Sequence, residues 1–470
     1  MTLHIPFDNT YARLPGQFYT KQAPTPVSQP SVVAFNTALA DTLGISGTDD
    51  PRLAALFAGT DVPDGAEPLA QLYAGHQFGS FNPQLGDGRA LLLGEVVGQD
   101  GVRRDIQLKG SGPTPYSRMG DGRAWLGPVL REYIMSEAMA ALGIPTTRAL
   151  AAVRTGDVVL RETPLPGAVL TRVAASHIRV GTFQIFAARG DWPALRALYD
   201  YTVDRHYPDV ADPHALFDAV MARQATLIAQ WMAIGFIHGV MNTDNCTLSG
   251  ETIDYGPCAF MDAYAPDRVF SSIDRFGRYN YSAQADIIVW NMAQLASSLV
   301  PLLPDQDAAV ERFTQQVHSM PGMIRAEWLT RFSAKLGIAD PTAEDAVLIA
   351  DLLDLMHKGG SDFTNTFRAL RVGKARDEIA DRDGFDAWAR RWDTRRAPDG
   401  ADLMAQANPV IIPRTHQIEA AITAAVAGDD APFHRLTAAL ATPVDDRDAI
   451  QDLTMPPTDT ERVTATFCGT

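Results

Sequence analysis

The sequence is poor in cysteine and in basic residues, and it has no long apolar run. Its 470 residues include only three cysteines, too few for a disulfide framework, which favours a reducing compartment. No run of eighteen apolar residues occurs, so a membrane-spanning helix is not expected. The 40 Lys and Arg against 56 Asp and Glu give a net charge of -16. This balance argues against nucleic acid or an anionic membrane as the main partner.

The first residues also lack the basic and apolar segments of a secretory leader. Together with the composition, this absence predicts a soluble, cytoplasmic protein. The chain is 46% hydrophobic and 20% charged, which is typical of globular proteins. Its length exceeds that of one compact core, so two lobes or more are expected. The oligomeric state is left open, and a monomer is compatible with the sequence.

The most informative segment is His238-Gly-Val-Met-Asn-Thr-Asp-Asn245, with Asp254-Tyr-Gly256 nine residues later. Kinase-type phosphotransferases have a loop of His, any residue, Asp, four residues and Asn, followed by an Asp-aromatic-Gly triplet. Here the His and the Asn keep this spacing, but Val240 occupies the position of the catalytic base. The segment is therefore interpreted as a metal–nucleotide site without the usual base.

A tight hairpin with a Ser-Gly turn is predicted from Cys246 to Asp254. In that pairing Asn245 lies opposite Asp254, with Cβ atoms roughly 4.5–5.5 Å apart. An amide oxygen and a carboxylate so placed can share Mg²⁺ or Mn²⁺. The alternative is a hairpin flanked by turn-forming residues without a metal. Asp244 is either a base acting from a new place in the loop or a turn cap.

Several features upstream are candidate phosphate contacts. The turn Gly86-Asp-Gly-Arg89 precedes a strand predicted over 90–97, and glycine turns of this kind let backbone N–H groups approach phosphate. An ordinary turn is the alternative. Lys109 ends the next predicted strand, and Glu132 lies beside the apolar stripe of a helix predicted over 128–142. An inward-facing Glu132 can pair with Lys109 as in kinases, whereas a surface glutamate is the other reading.

The order of these elements indicates an α+β protein with a protein-kinase-like, two-lobed fold. Residues 1–70 are rich in Pro and Gly and are interpreted as an N-terminal extension. Residues 71–175 form a strand-rich lobe with one strong helix. Residues 176–470 form a helical lobe that contains the catalytic segment and additional C-terminal helices.

The sequence resembles the selenoprotein O (SelO) family of kinase-fold protein adenylyltransferases over nearly its whole length. The resemblance implies that ATP binds reversed relative to an ordinary kinase. AMP is then transferred to a Ser, Thr or Tyr of a protein, and pyrophosphate leaves. The distinctive matching strings are Tyr73-Ala-Gly-His-Gln-Phe-Gly79, Gln84-Leu-Gly-Asp-Gly-Arg89, Gln107-Leu-Lys-Gly-Ser-Gly112, Asp121-Gly-Arg123, His238–Asn245, Asp254-Tyr-Gly-Pro257 and Asp362-Phe-Thr-Asn-Thr-Phe367.

The same resemblance implies roles for individual residues. Asp244 is the proton acceptor, and Asn245 and Asp254 bind Mg²⁺ or Mn²⁺. Lys109 contacts phosphate and pairs with Glu132. The other residues of the implied nucleotide pocket are Gly86, Gly88, Arg89, Asp121, Gly122, Arg172 and Arg179.

The family is also associated with redox homeostasis, and its members carry selenocysteine or cysteine close to the end. Cys468 matches that position. In some members this residue forms a disulfide with a cysteine beyond the Asp-Tyr-Gly segment. Here the region around Phe270 has none, and Cys258 is the nearest candidate. A regulatory Cys258–Cys468 link and an inert tail thiol are equal alternatives.

Two other functions stay open beside AMP transfer by this pseudokinase. A conventional kinase that moves the γ-phosphoryl group fits the order of the lobes, but Val240 argues against it. An inactive nucleotide-binding scaffold is disfavoured because Lys109, Glu132, Asn245 and Asp254 are intact. The protein substrates and the preferred metal are not indicated.

Overall fold

The chain combines antiparallel sheets with a helical second half, and the expected α+β class is confirmed. A computed structural model describes residues 2–467. Within that range, no helix has both the length and the apolar character needed to span a membrane.

The strands are β1 (Tyr19–Lys21), β2 (Ser31–Phe35), β3 (Leu69–Gln71), β4 (Gly75–Gln77), β5 (Ser80–Asn82), β6 (Ala90–Val97), β7 (Arg103–Lys109), β8 (Ala124–Trp125), β9 (Arg148–Leu160), β10 (Pro164–Ala174), β11 (Phe236–Ile237) and β12 (Ala259–Phe260). The helices are α1 (Thr37–Thr42), α2 (Leu53–Ala58), α3 (Leu126–Ala141), α4 (Val180–Arg189), α5 (Trp192–His206), α6 (Pro213–Ala233), α7 (Gln284–Leu299), α8 (Gln306–Lys335), α9 (Asp345–Gly359), α10 (Phe363–Arg371), α11 (Ala375–Glu378), α12 (Arg382–Asp393), α13 (Gly400–Ala407), α14 (Thr415–Val426), α15 (Ala431–Leu440) and α16 (Gln451–Thr454). Short 3₁₀ turns occupy Tyr11–Arg13, Gly16–Phe18, Thr243–Asn245, Val300–Leu302 and Asp448–Ile450.

Eight strands of the described chain form one antiparallel sheet. Its order is β1-β3-β6-β7-β10-β9-β2, and β8 pairs with β10. The edge strands β1 and β2 both come from residues 1–70, so this segment contributes directly to the sheet. The strand predicted over 90–97 has the observed bounds of β6, and β7 covers the strand predicted to end at Lys109.

Helix α3 packs on β9 and β10 at one face of the sheet, and α1 and α2 cover the other face. The buried side of α3 includes Leu130, Ile134 and Met135, as its apolar periodicity predicts. Arg131 is also buried within this helix, and its guanidinium pairs with Glu419 of α14. That partner lies 288 residues away, so no local pattern could reveal it.

The helical half begins with α4 and α5 and is built around α6. The Asp212 carboxylate accepts a hydrogen bond from the Ala215 N–H at 2.9 Å, and Pro213 occupies the first turn, which are ordinary helix-start signals. Helices α7 and α8 pack on α6. Beyond α6, strand β11 leads directly into the segment that begins with His238. The long helix α6 and strand β11 thus lead the chain into the segment His238–Asn245.

Candidate active site

Eleven of the predicted site residues line one cavity with a volume of about 720 Å³. Its walls come from the start of β6, the end of β7, strand β10 and the segment that follows β11. Glu132 lies behind Lys109 and lines a smaller adjoining space. The eleven predicted residues in the main cavity are Gly86, Gly88, Arg89, Lys109, Asp121, Gly122, Arg172, Arg179, Asp244, Asn245 and Asp254.

Positive charge dominates this cavity although the chain as a whole is acidic. Seven basic and four acidic side chains line it, an excess of three positive charges, in a chain of net charge -16. Clustered guanidinium and ammonium groups are the usual partners of phosphate oxygens. The basic residues are Arg89, Lys109, Arg118, Arg123, Arg161, Arg172 and Arg179, and the acidic ones are Asp87, Asp121, Asp244 and Asp254.

Lys109 joins the sheet to α3 and to Asp254, which follows the segment His238–Asn245. Its Nζ donates to Glu132 Oε2 and to Asp254 Oδ1, both at 2.6 Å. Glu132 therefore faces inward from α3, and its side chain is 5% exposed. The ammonium group is held between two carboxylates at the cavity wall, where a phosphate can reach it.

Arg172 binds the same carboxylate from the neighbouring strand β10. Its Nη1 donates to Asp254 Oδ1 at 2.7 Å and to Glu132 Oε1 at 3.3 Å. Its Nε and Nη2 both donate to Gln107 Oε1, at 3.2 and 2.7 Å. Because each guanidinium nitrogen bonds to a protein oxygen, Arg172 chiefly fixes the position of Asp254.

Arg179 is a better-placed partner for a ligand. It lies at the N-cap of α4, where Nη1 donates to the His177 carbonyl at 3.1 Å. Its guanidinium carbon lies 4.5 Å from the centre of the Tyr73 ring, within cation–π range. Its Nε is buried and has no hydrogen-bond partner among residues 2–467, which is costly unless a bound acceptor satisfies it.

Asp254 is held in its ionised form. Burial opposes ionisation, but the positive charges of Lys109, Arg172 and Arg179 outweigh it and keep the pKa of this carboxyl well below its usual range. The backbone of Asp254 is left-handed, with φ of 61°, a conformation that a non-glycine residue adopts only under local constraint. Its fixed negative charge suits a cation ligand.

Asp244 differs sharply from Asp254. It lies in the 3₁₀ turn Thr243–Asn245, and only 9% of its surface is exposed. Burial raises the pKa of its carboxyl to about 6, against the opposing effects of its own backbone N–H and of Gln77. A carboxyl group that titrates near neutral pH is suited to accept a proton in catalysis. Two carboxyl groups of one cavity thus have different acidities.

Asn245 and Asp254 each offer a side-chain oxygen that could hold a metal ion. The Asn245 Nδ2 donates to the Val240 carbonyl at 2.9 Å, which leaves the amide oxygen as its ligand atom. Amide and carboxylate oxygens suit Mg²⁺ or Mn²⁺, so the residues present fit such an ion. Across residues 2–467, no cluster of three or more His, Cys, Asp or Glu is arranged for metal binding. Further ligands would have to come from the nucleotide and from water.

The prediction of a hairpin from Cys246 to Asp254 is wrong, because the two sides of this segment do not pair with each other. The turn itself forms, and Gly250 has a φ of 81°, but the two sides pair outward with other segments. Thr247 bridges Arg179 and Thr252 bridges Thr146. These distant partners satisfy the backbone groups that a local ladder would have used. The cross-strand argument for placing Asn245 beside Asp254 therefore fails, although both line the cavity.

The three glycines of the predicted nucleotide pocket, in the turn Gly86–Arg89 and in a second glycine turn at 120–123, have a packing role. A Cβ atom on Gly86 would lie 2.6 Å from the Tyr116 ring, and one on Gly88 would lie 2.9 Å from the Tyr116 carbonyl oxygen. A Cβ atom on Gly122, whose φ is 66°, would lie 2.2 Å from the Gly112 backbone. Only glycine lets the loops close over the cavity at these three points.

Arg161 and Gln77 are among the polar residues of the cavity to which the sequence-based site gave no role. Arg161 lies between β9 and β10 and donates to both oxygens of Asp121, at 2.8 and 3.2 Å, so it fixes the second glycine turn. Gln77 contacts Asp244 from the hairpin of β4 and β5. A lone arginine in a turn carries no signal, whereas Gln77 lies in a distinctive string to which no role was given.

The redox prediction concerns the chain end. Cys468 lies outside the described residues, whereas Cys258 is buried. Thr466 donates through its N–H to the Phe270 carbonyl at 2.7 Å and through its hydroxyl to the Pro257 carbonyl. The tail is therefore seated beside the segment that follows Asp254, and a Cys258–Cys468 link stays a prediction.

Comparisons with known proteins agree on one family. The model of the family "Protein adenylyltransferase SelO" matches residues 1–441. A protein nucleotidyltransferase YdiU of Ruegeria sp. (strain TM1040) is 61% identical over 472 residues and covers 100% of both chains. The protein of that name from Roseobacter denitrificans is 62% identical over 472 residues, and one from Bradyrhizobium sp. (strain ORS 278) is 54% identical over 491, with full coverage of both chains in each case.

Proposed function

The chain belongs to the SelO family of protein adenylyltransferases, and on that premise we propose that it transfers AMP from ATP to Ser, Thr or Tyr hydroxyl groups of other proteins. The observation that carries this proposal is that one basic cavity contains two carboxyl groups whose pKa values differ. Asp254 is held ionised by Lys109 and Arg172, whereas Asp244 titrates near neutral pH. Asp254 is therefore suited to bind a metal–nucleotide, and Asp244 is suited to accept a proton.

The reaction balances with Asp244 as the base. Its carboxylate accepts the proton of the acceptor hydroxyl, and the hydroxyl oxygen forms a bond to the α-phosphorus. The bond from that phosphorus to the bridging oxygen of the β-phosphate breaks, and pyrophosphate leaves with the electron pair. Asp244 works from a position four residues beyond Val240, whose apolar side chain at the cavity wall cannot accept a proton.

Asn245 and Asp254 would hold Mg²⁺ or Mn²⁺ through their side-chain oxygens. Such an ion supplies positive charge that offsets the charge developing on the phosphate oxygens. The chain's own contribution is to keep Asp254 ionised and in place, through Lys109 and Arg172.

The burial of Arg179 deep in the cavity supports the reversed orientation of ATP. Arg179 is 1% exposed, and its buried Nε–H has no partner within the described residues, so it suits the distal phosphates of a nucleotide that enters phosphate-first. The α-phosphate would then lie closer to the acceptor. The strand-rich part and the helical part act as the two lobes of a protein-kinase-like fold, and the chain is a pseudokinase in lacking an acid at position 240.

The products distinguish this function from its rivals. After incubation with ATP, Mg²⁺ or Mn²⁺ and a protein mixture, we expect pyrophosphate in solution and an adenylyl group on acceptor hydroxyls by peptide mass spectrometry. Release of ADP together with phosphorylated hydroxyls would identify a conventional kinase. Nucleotide binding without either product would identify a scaffold.

A further inference from the structure

The hairpin of β4 and β5, which lies between strands β3 and β6 of the main sheet in the chain, is hydrogen-bonded to the loop His238–Asn245. Three successive hairpin residues each donate one hydrogen bond to the loop. The His76 N–H donates to Thr243 Oγ1 at 2.7 Å, and the Phe78 N–H donates to Asn242 Oδ1 at 3.1 Å. Between them, Gln77 Nε2 donates to Asp244 Oδ2 at 3.0 Å.

Both oxygens of Asp244 are constrained by this hairpin. Oδ2 accepts the hydrogen bond from Gln77. Oδ1 is buried, has no hydrogen-bond partner in the part of the chain that the structure describes, and lies against Gly75, where an added Cβ atom would come within 2.8 Å of it. The orientation of the carboxylate is therefore set from two sides, by the close approach of the Gly75 backbone and by one side-chain amide.

The orientation of the Gln77 amide is set as well. Its Oε1 faces Asn82 Nδ2 at 3.5 Å on the other strand of the hairpin, which directs Nε2 toward Asp244. Gln77 also lines the cavity. The donor thus reaches the base from the cavity side, where the acceptor hydroxyl must arrive.

We propose that Gln77 is a positioning residue for the AMP-transfer reaction, and that its amide N–H holds the Asp244 carboxylate in the orientation that accepts the hydroxyl proton. This inference rests on the proposed function. A carboxylate on a freely rotating side chain spends little time in a reactive orientation, and small misplacements of a catalytic group are costly. Loss of the amide donor should therefore slow the chemical step and leave nucleotide binding intact.

The test compares Gln77→Ala with Gln77→Glu. Glutamate has the size of glutamine but presents an acceptor to Asp244 in place of a donor. We expect kcat to fall roughly 10-fold or more in Gln77→Ala and at least as far in Gln77→Glu, with KM and Kd for ATP changed less than about twofold. Gln315→Ala is the matched control, because this exposed amide faces the Glu311 carboxylate at 3.5 Å on α8. Its kcat should not change.

Three results would overturn the inference. Wild-type kcat in Gln77→Glu would mean that only the size of the side chain matters. A loss of ATP affinity as large as the loss of kcat would make Gln77 a nucleotide-binding residue. A melting temperature that falls in both variants in step with kcat would assign it a structural role. Absence of AMP transfer by the wild-type chain would instead overturn the proposed function, and this inference with it.

Discussion

Asp254 Oδ1 lies 2.6 Å from Lys109 Nζ, and this contact links the end of β7 to the segment that follows the catalytic loop. Lys109 also donates a hydrogen bond to Glu132, so one ammonium group connects the sheet, α3 and the Asp254 carboxylate. Arg172 adds a second cation to the same oxygen. The negative charge of Asp254 is thus already balanced by two cations, and under the proposed function a metal–nucleotide that enters the cavity would exchange one set of charges for another.

Asp254→Ala should abolish metal-dependent transfer. The variant loses the carboxylate whose Oδ1 both Lys109 and Arg172 bind, and it leaves the proposed metal with one protein ligand. Transfer is measured over a range of Mg²⁺ and Mn²⁺ concentrations, because a weakened site would recover at high metal. Asp267→Ala, at an exposed position, is the control. Undiminished activity of Asp254→Ala would refute the metal assignment.

Asp244→Asn should slow transfer by about 10²–10⁴-fold, the usual contribution of a general base. The amide keeps the shape of the carboxyl group but cannot take up the hydroxyl proton. ATP affinity, measured by calorimetry, should stay close to that of the wild type. An affinity loss comparable to the loss of rate would show that Asp244 binds the nucleotide instead.

The two buried arginines should separate into a structural one and a ligand-binding one. Arg172→Met removes a partner from Glu132 and Asp254, and we expect the free energy of unfolding to fall by about 3–5 kcal/mol. Arg179→Met should weaken ATP binding roughly 10- to 100-fold, the value of a hydrogen bond to a charged group. Urea unfolding and calorimetry measure the two effects.

Arg325→Met, at an exposed position on α8, controls for the loss of one positive charge. The assignment of the two arginines would be contradicted if Arg172→Met weakened ATP binding more than Arg179→Met while leaving the stability unchanged.

Lys335 should make the stability of the C-terminal helices depend on pH. It is 2% exposed, and its Nζ lies 4.2 Å from the centre of the Phe367 ring. Burial lowers the pKa of its ammonium group from 10.5 to about 7. Between these values the unfolded chain binds a proton that the folded chain lacks, so the free energy of unfolding rises with pH.

Lys335→Met removes this titration. We expect the variant to be more stable than the wild type by about 2–4 kcal/mol at pH 6, because each pKa unit corresponds to about 1.4 kcal/mol and the aromatic contact offsets part of the cost. The advantage should shrink by pH 9, as measured by urea unfolding. Lys358→Met, at an exposed lysine, should show no such trend. A constant difference across this range would contradict the lowered pKa.

Local patterns predicted the elements that carry the site. The apolar segment 90–97 predicted β6, alternation predicted β7, and helical periodicity placed Glu132 beside the buried stripe of α3, where it meets Lys109. The kinase-like spacing of the two motifs, and not the predicted hairpin, anticipated that Asn245 and Asp254 line the same cavity. These features depend on a few neighbouring residues, so the sequence contains them directly.

Other features depend on chain segments that are far apart. The hairpin after Cys246 failed because its backbone pairs with residues near Thr146 and Arg179. The raised pKa of Asp244 follows from burial, and the hydrogen bond from Gln77 spans 167 residues. Such contacts arise only when the sheet and the helical half meet, and no spacing rule anticipates them.

The most direct test of the central claim follows the label of ATP. The chain is incubated with Mg²⁺ or Mn²⁺, a protein extract, and ATP labelled at either the α- or the γ-phosphate. We expect acceptor proteins to retain the α-label and not the γ-label, with no retention for Asp254→Ala. Retention of the γ-label without the α-label would contradict AMP transfer.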